Sequence, residues 1–202
     1  KTVGQKREFD FPSKNHVELN QTLGYFDFER GAKVAGTGWP VYKGDGARLE
    51  WALLNYMIDI HRKNGFTQII PPHLVRPDIM QGSGQLPKFE TQLFKLKDDD
   101  YHLYLIPTSE VALCGLHYDE IIDDAALPIK YVSYTPCFRR EGGAAGSKER
   151  GLIRVHQFNK VEMFAFTRPE ESEEMFEIML KSAEEILQGR SEERRVGKEC
   201  LR

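Results

Sequence analysis

Between Cys137 and Phe166 the chain reads CFRREGGAAGSKERGLIRVHQFNKVEMFAF, and no other stretch restricts its fold so tightly. It reads as two strands joined by a mobile loop. The loop, Gly142 to Gly151, carries glycine at 142, 143, 146 and 151 around Lys148, Glu149 and Arg150, so it can turn and fold over a ligand. Ile153 to Phe166 is rich in β-branched and aromatic residues, which predicts the second strand. Side chains alternate along a strand, so Arg154, His156, Phe158, Lys160, Glu162 and Phe164 share a face. Arg154, Phe158 and Glu162 then stand about 13 Å apart in succession. A cation, a flat ring and a carboxylate in line suit a ligand with a phosphate, a base and an amine. On the first strand Arg139 and Glu141 also share a face. One charged strand face is ordinarily just solvated. Two neighbouring strands that repeat cation and carboxylate around a glycine-rich loop favour a ligand floor.

The rest of the chain has to support that floor. Its 202 residues, 40% hydrophobic and 29% charged, suffice for one ordinary domain with a sizeable core. A net charge of −3 gives no global reason to bind nucleic acid, so a charged ligand must be held by local groups. Cys114, Cys137 and Cys200 have neither metal-ligand spacing nor a disulfide pattern. Lys1 to Phe11 is polar and no long apolar run follows, so a reduced, cytoplasmic protein is expected.

Taken in order, Lys1 to Arg30 is a loose polar segment in which Asn20 precedes a short helical turn and Phe26 and Phe28 begin an apolar alternation. Gly31 to Gly46 reads as short strands and turns. Ala47 to Asn64 is a helix with Leu49, Leu53, Tyr56, Met57 and Ile60 as its apolar stripe and Gly65 at its C′ position. Phe66 to Pro72 is a short strand that two prolines confine to an edge or boundary. Gly82 to Phe89, GSGQLPKF, is a loop that could order over a site. Phe94 to Leu105 is a hairpin turning at Asp98-Asp99-Asp100, with Leu93, Tyr101, Leu103 and Leu105 inward; the acid triplet is a solvated turn, not a metal site. Thr108 or Ser109 caps a following helix, with Glu110 in its first turn. Capping alone accounts for these three residues, and so does a pocket shared with Glu162; the sequence leaves both open. Pro128 to Thr135 is a strand, and the segment after Thr167 is an amphipathic helix with Met175, Phe176, Met179, Leu180, Ala183 and Ile186 buried.

Gly189 to Arg202 breaks that periodicity with five basic and three acidic residues. Its run RSEERRVGKEC reads as a translated library adapter, so residues 189–202 are expected to be a non-native tail beside a domain at 1–188. Without them 23 basic residues face 28 acidic ones, a net charge of −5.

Four motifs carry a resemblance over roughly Gly4 to Gln188: GFTQIIPPHLV with Pro72, GSGQLPKF, Thr108-Ser109-Glu110, and FRREGGAAGSKERGLIRVHQFNKVE. Together they resemble the catalytic core of the seryl-tRNA synthetases, of class II, with the first and last standing as motifs 1 and 2. The resemblance implies an α+β fold, an antiparallel β-sheet flanked by helices, and a homodimer built partly through motif 1. It implies that Arg139 holds the ATP α-phosphate, that Arg154 lies near the phosphates, that Glu141 meets the adenine amino group, that Phe158 stacks on adenine, and that Arg140 and Val155 border the nucleotide. Thr108, Ser109, Glu110 and Glu162 would grip L-serine. ATP, Mg²⁺ and tRNA(Ser) are the implied partners; serine would be activated to seryl-adenylate and passed to tRNA, with Arg139 and Arg154 catalytic.

Three departures qualify this. Gly142-Gly143 stands where the family usually has Ala-Gly. No counterpart of motif 3 follows Gln188, so the sheet is expected to be truncated before it and the chain inactive alone. Nor is an N-terminal helical arm of the kind that binds tRNA expected in this sequence. A paralogue that charges a carrier protein and a non-catalytic ATP-binding or dimerisation module are the other classes that fit.

Overall fold

The computed structural model describes residues 2–3, 8–96, 98–141, 151–190 and 194–195. The chain opens with β1 (Thr2–Val3), α1 (His16–Leu23), β2 (Phe26–Asp27), α2 (Phe28–Ala35) and β3 (Val41–Tyr42). Two caps set this region. The Asn15 side chain accepts from the N–H of Val17 and Glu18 while Glu18 accepts from Asn15 N–H, a capping box that starts α1. Asp27 accepts from Arg30 N–H at the start of α2. Asn20 therefore lies inside α1 rather than before a turn, and its amide bridges to the backbone of Phe26. The apolar alternation expected from Phe28 is instead a helix. Gly31 is the reason α2 can sit where it does, because a Cβ there would fall 1.7 Å from the carbonyl oxygen of Trp39.

Next come α3 (Asp45–Lys63), β4 (Thr67–Ile69), β5 (Leu74–Val75), α4 (Pro77–Gly82), β6 (Tyr104–Leu105) and α5 (Ser109–Gly115). Gly65, with φ 85°, ends α3 as expected. The buried face of α3 is out of phase with the sequence reading: Leu54, Ile58 and His61 are inside, and Leu49 is exposed. The expected hairpin forms, with Leu96 N–H donating to Leu103 O and Leu105 N–H to Phe94 O. Tyr104, not Tyr101, points inward from it. Asp98 accepts from Asp100 N–H at its turn.

The last elements are β7 (Ile129–Phe138), β8 (Gln157–Phe166), α6 (Ser172–Gly189) and β9 (Arg194–Arg195), which pairs with β1. Of the segment 189–202, the remainder lies outside the described residues, as does 142–150 of the expected loop. The sheet runs β4-β7-β8. β7 and β8 form an antiparallel ladder of ten pairs, from Ile129↔Phe166 to Phe138↔Gln157. β4 lies at the edge, as its prolines require, and runs parallel to β7.

Helix α3 crosses one face of this sheet, with Trp51 against Tyr134 and the Asn159 amide donating to Glu50, and α6 packs on α3. Met175 and Ile186 of α6 are buried, as expected, but so is Ser182, whose hydroxyl meets His61 Nδ1 at 2.7 Å. The other face takes α5, which with α4 and β5–β6 encloses a core of Val75, Met80, Leu93, Tyr104, Ile106, Val111 and Ala112. Among the described residues no helix is long and apolar enough to cross a membrane.

Candidate active site

The ladder decides what faces α5. Cα partners in an antiparallel pair carry their side chains on the same side, so the pairs Ser133↔Glu162, Thr135↔Lys160 and Cys137↔Phe158 put six residues on one face. Ser133, Thr135 and Cys137 are sealed beneath. Lys160 and Glu162 reach into a cavity of about 320 Å³, also lined by Gln85, Phe89, Gln92, Leu93, Pro107, Thr108, Glu110, Arg139 and Glu141. Gln85 and Phe89 belong to the GSGQLPKF loop, so that segment does border the site.

Thr108 serves two structures at once. As the N-cap of α5 its Oγ1 accepts from Glu110 N–H at 3.3 Å. The same hydroxyl donates to Glu162 Oε2 and accepts from Lys160 Nζ at 2.6 Å. Glu162 Oε2 further accepts from Ser109 Oγ (2.9 Å) and Glu110 N–H (3.2 Å), and pairs with Lys160 Nζ at 2.8 Å. The two readings of the Thr-Ser-Glu triplet, cap and pocket wall, thus hold together.

Burial works against charge on Glu162, but Lys160 and the two hydroxyl donors outweigh it and hold the carboxyl below its ordinary range. Glu110 is pushed the other way, by burial first and then by the charge of Glu162. The cavity therefore offers two acids of unequal strength. Such a pair receives a cationic or hydrogen-bond-donating ligand.

Arg139 and Glu141 form the second end. Arg139 Nε donates to Pro107 O at 3.2 Å, and its guanidinium carbon lies 5.2 Å from the centre of the Phe158 ring. Glu141, at φ 46°, is 3.8 Å from Arg154 Nη1. Arg154 is not on β8 as expected: the chain turns at Gly151–Arg154 and the strand begins at Gln157. The shared-face argument thus holds from Phe158 to Phe164, and Arg154 meets the site through Glu141 instead. Phe158 borders a separate cleft of about 230 Å³ with Trp39, Pro40 and Tyr42. Arg140 is exposed, with its N–H on Gln92 O, and Val155 is buried; neither lines the cavity. Ser109 lies beneath it with no exposed surface.

Of the charged residues that line the cavity, the one absent from the expected site is Lys160. Its position between Phe158 and Glu162 on the alternating face was the available signal. A larger open depression of about 810 Å³, lined by Asp59, Arg62, Lys63 and Gly65 to Gln68, contains none of the expected residues. Among the described residues no group of three or more His, Cys, Asp or Glu could hold a metal ion.

The sequence and the fold both have relatives among known proteins. Residues 94–200 match the tRNA synthetase class II core domain (G, H, P, S and T). The serine–tRNA ligase of Chlamydia caviae is 55% identical over 187 residues, 93% of this chain and 44% of that protein. The crystal structure of seryl-tRNA synthetase from Pyrococcus horikoshii complexed with ATP superposes with a TM-score of 0.83 at 43% identity, over 89% of this chain and 40% of that one. Cytoplasmic serine–tRNA ligase from Naegleria fowleri, in complex with AMP, gives 0.88 at 34% identity, over 95% and 46%. The chain spans less than half the length of the relatives it matches.

Proposed function

We propose a function from the premise that the chain belongs to the class II tRNA synthetase core family: its cavity is where L-serine and ATP are joined as seryl-adenylate, which the parent protein then transfers to tRNA(Ser). The observation that carries this reading is the convergence of Thr108, Glu110, Arg139, Glu141 and Glu162 on one cavity. Thr108, Glu110 and Glu162 take the ammonium and hydroxyl of serine, with Ser109 beneath fixing Glu162. Arg139 and Arg154 neutralise phosphate charge, Glu141 accepts from the adenine amino group, and Phe158 offers its ring once the Arg139 guanidinium swings to a phosphate. Arg140 and Val155 border the nucleotide from outside the cavity.

A serine carboxylate oxygen attacks the α-phosphorus as the bond to pyrophosphate breaks in line. No proton needs to move at the reacting oxygen, so the work of these residues is orientation and charge neutralisation. A pocket built to pair with a hydroxyl leaves polar groups unsatisfied when alanine enters, a discrimination of about 10⁴. Mg²⁺ would arrive with the nucleotide, since the described residues alone do not form a site for it. The parent is read as a cytoplasmic homodimer whose contact includes the motif 1 segment, where Ile70 is 81% exposed.

The test is ATP–pyrophosphate exchange by the full-length parent protein. Exchange that depends on serine and ignores alanine and threonine is expected, followed by charging of tRNA(Ser). Exchange with a different amino acid, or acyl transfer to a carrier protein in place of tRNA, overturns the reading.

A further inference from the structure

Among the described residues four donors reach Glu162, and all end on one oxygen, Oε2: Thr108 Oγ1, Ser109 Oγ, Glu110 N–H and Lys160 Nζ. A carboxylate bound in this way is seated at one edge, and Oε1 of Glu162, which lines the cavity, takes none of these four contacts. Lys160 differs from the other three donors because it brings a full charge, and because it also donates to Thr108. Its ammonium therefore orients both partners: with Lys160 as donor, the Thr108 hydroxyl proton has only Glu162 to go to. We infer that Lys160 is a positioning residue that seats Glu162 as an anion with Oε1 open, and that serine reaches Glu162 at that oxygen without displacing the lysine. The inference rests on reading the cavity as the serine site.

The alternative, that Lys160 is merely buried alkyl chain with a charge at its tip, fails on geometry. Its side chain is 27% exposed and lines the cavity, and its ammonium contacts two groups of that cavity, Thr108 and Glu162. The surroundings of Glu162 also require a cation. Glu110 faces it from α5, Glu141 lies on the same cavity, Cys137 lies on β7, and Arg139 is engaged with Pro107 and Phe158. Removing Lys160 leaves two facing acids, partly buried, with only uncharged donors on Glu162, the Thr108 and Ser109 hydroxyls and the Glu110 N–H. Burial, the largest influence on that group, then raises its pKa.

The test follows the Glu162 carboxyl carbon by NMR in chain labelled with ¹³C-glutamate, assigned by comparison with Glu162→Gln, alongside calorimetric titration of L-serine over the same pH range. In Lys160→Met the carboxyl midpoint moves up, Lys160→Arg returns it towards the starting value, and serine affinity at neutral pH falls at least about tenfold in the Met variant, its acid limb moving to higher pH. If Lys160→Met does not fold, Lys160→Gln, which keeps a donor to Thr108, reads the same shift. An unchanged midpoint in the uncharged variants overturns the inference, whatever serine does. A raised midpoint in a chain whose parent binds no serine upholds the role of Lys160 and overturns the functional reading instead.

Discussion

At the scale of single residues, the site depends on how much work one side chain can do twice. Thr108 caps α5 and donates to Glu162, so Thr108→Ala should cost about 1 kcal/mol of stability in urea unfolding and weaken serine binding as well. Thr108→Ser should keep both. Glu162→Gln leaves Lys160 facing a neutral amide, and serine KM in pyrophosphate exchange by the full-length protein should rise about 10- to 100-fold. The two acids also predict a pH dependence. Glu162 is held below its ordinary range and stays charged well into acid, whereas Glu110 is raised and protonates first as pH falls. Serine affinity should therefore decline on acidification through Glu110, and Glu110→Gln should flatten that limb. The face carrying Phe158, Lys160 and Glu162 was legible in the sequence because strand alternation is a local rule. Arg154 was misplaced by the same rule, since nothing local announces that the strand starts at Gln157 and that Gly151–Arg154 turn instead.

Between elements, legibility fails where the partner is remote. The stripe expected on α3 was out of phase because burial there is set by the sheet on one side and α6 on the other, not by the helix's own pattern. His61 and Ser182 are 121 residues apart, so no sequence spacing points to their 2.7 Å contact or to the Asn64 amide that joins it. Burial lowers His61 to about 4. A histidine whose folded pKa lies below its unfolded value of about 6.5 binds more protons when unfolded. Its contribution is full above about 6.5 and is lost as pH falls towards 4. Thermal or urea unfolding between pH 7 and 4.5 should thus show a loss on the order of 2 kcal/mol that His61→Gln lacks. Helix α2 was also missed, with Phe28 read into an apolar alternation and Gly31 onward into short strands and turns; Gly31 is there for close approach to Trp39. Gly31→Ala should destabilise by about 1–3 kcal/mol, measured by urea unfolding, because backbone and not a movable side chain stands in the way.

Across the whole molecule, the three-stranded sheet has β4 and β8 as its outer strands among the described residues. Ile70 follows β4 and is almost fully exposed, and Val34 and Ile121 are exposed elsewhere. Apolar surface of this kind beside a strand edge favours association. Sedimentation velocity should find self-association at micromolar concentration, and Ile70→Lys should shift it towards monomer. The fold class was readable from motifs that resemble a family; the phase of a helix and the partners of a buried histidine were not, since only the assembled layers determine them.

The ladder between β7 and β8 has one further implication, for inheritance. Ten rungs without a bulge leave nowhere to absorb a change in chain length. Gain or loss of one codon between Phe158 and Glu162 would send half the binding groups into the packing against α3, whereas a change of two would keep their facing and shift them along by one rung. Length variation among descendants of this gene is therefore expected in the segment 142–150 and not in the strands beside it.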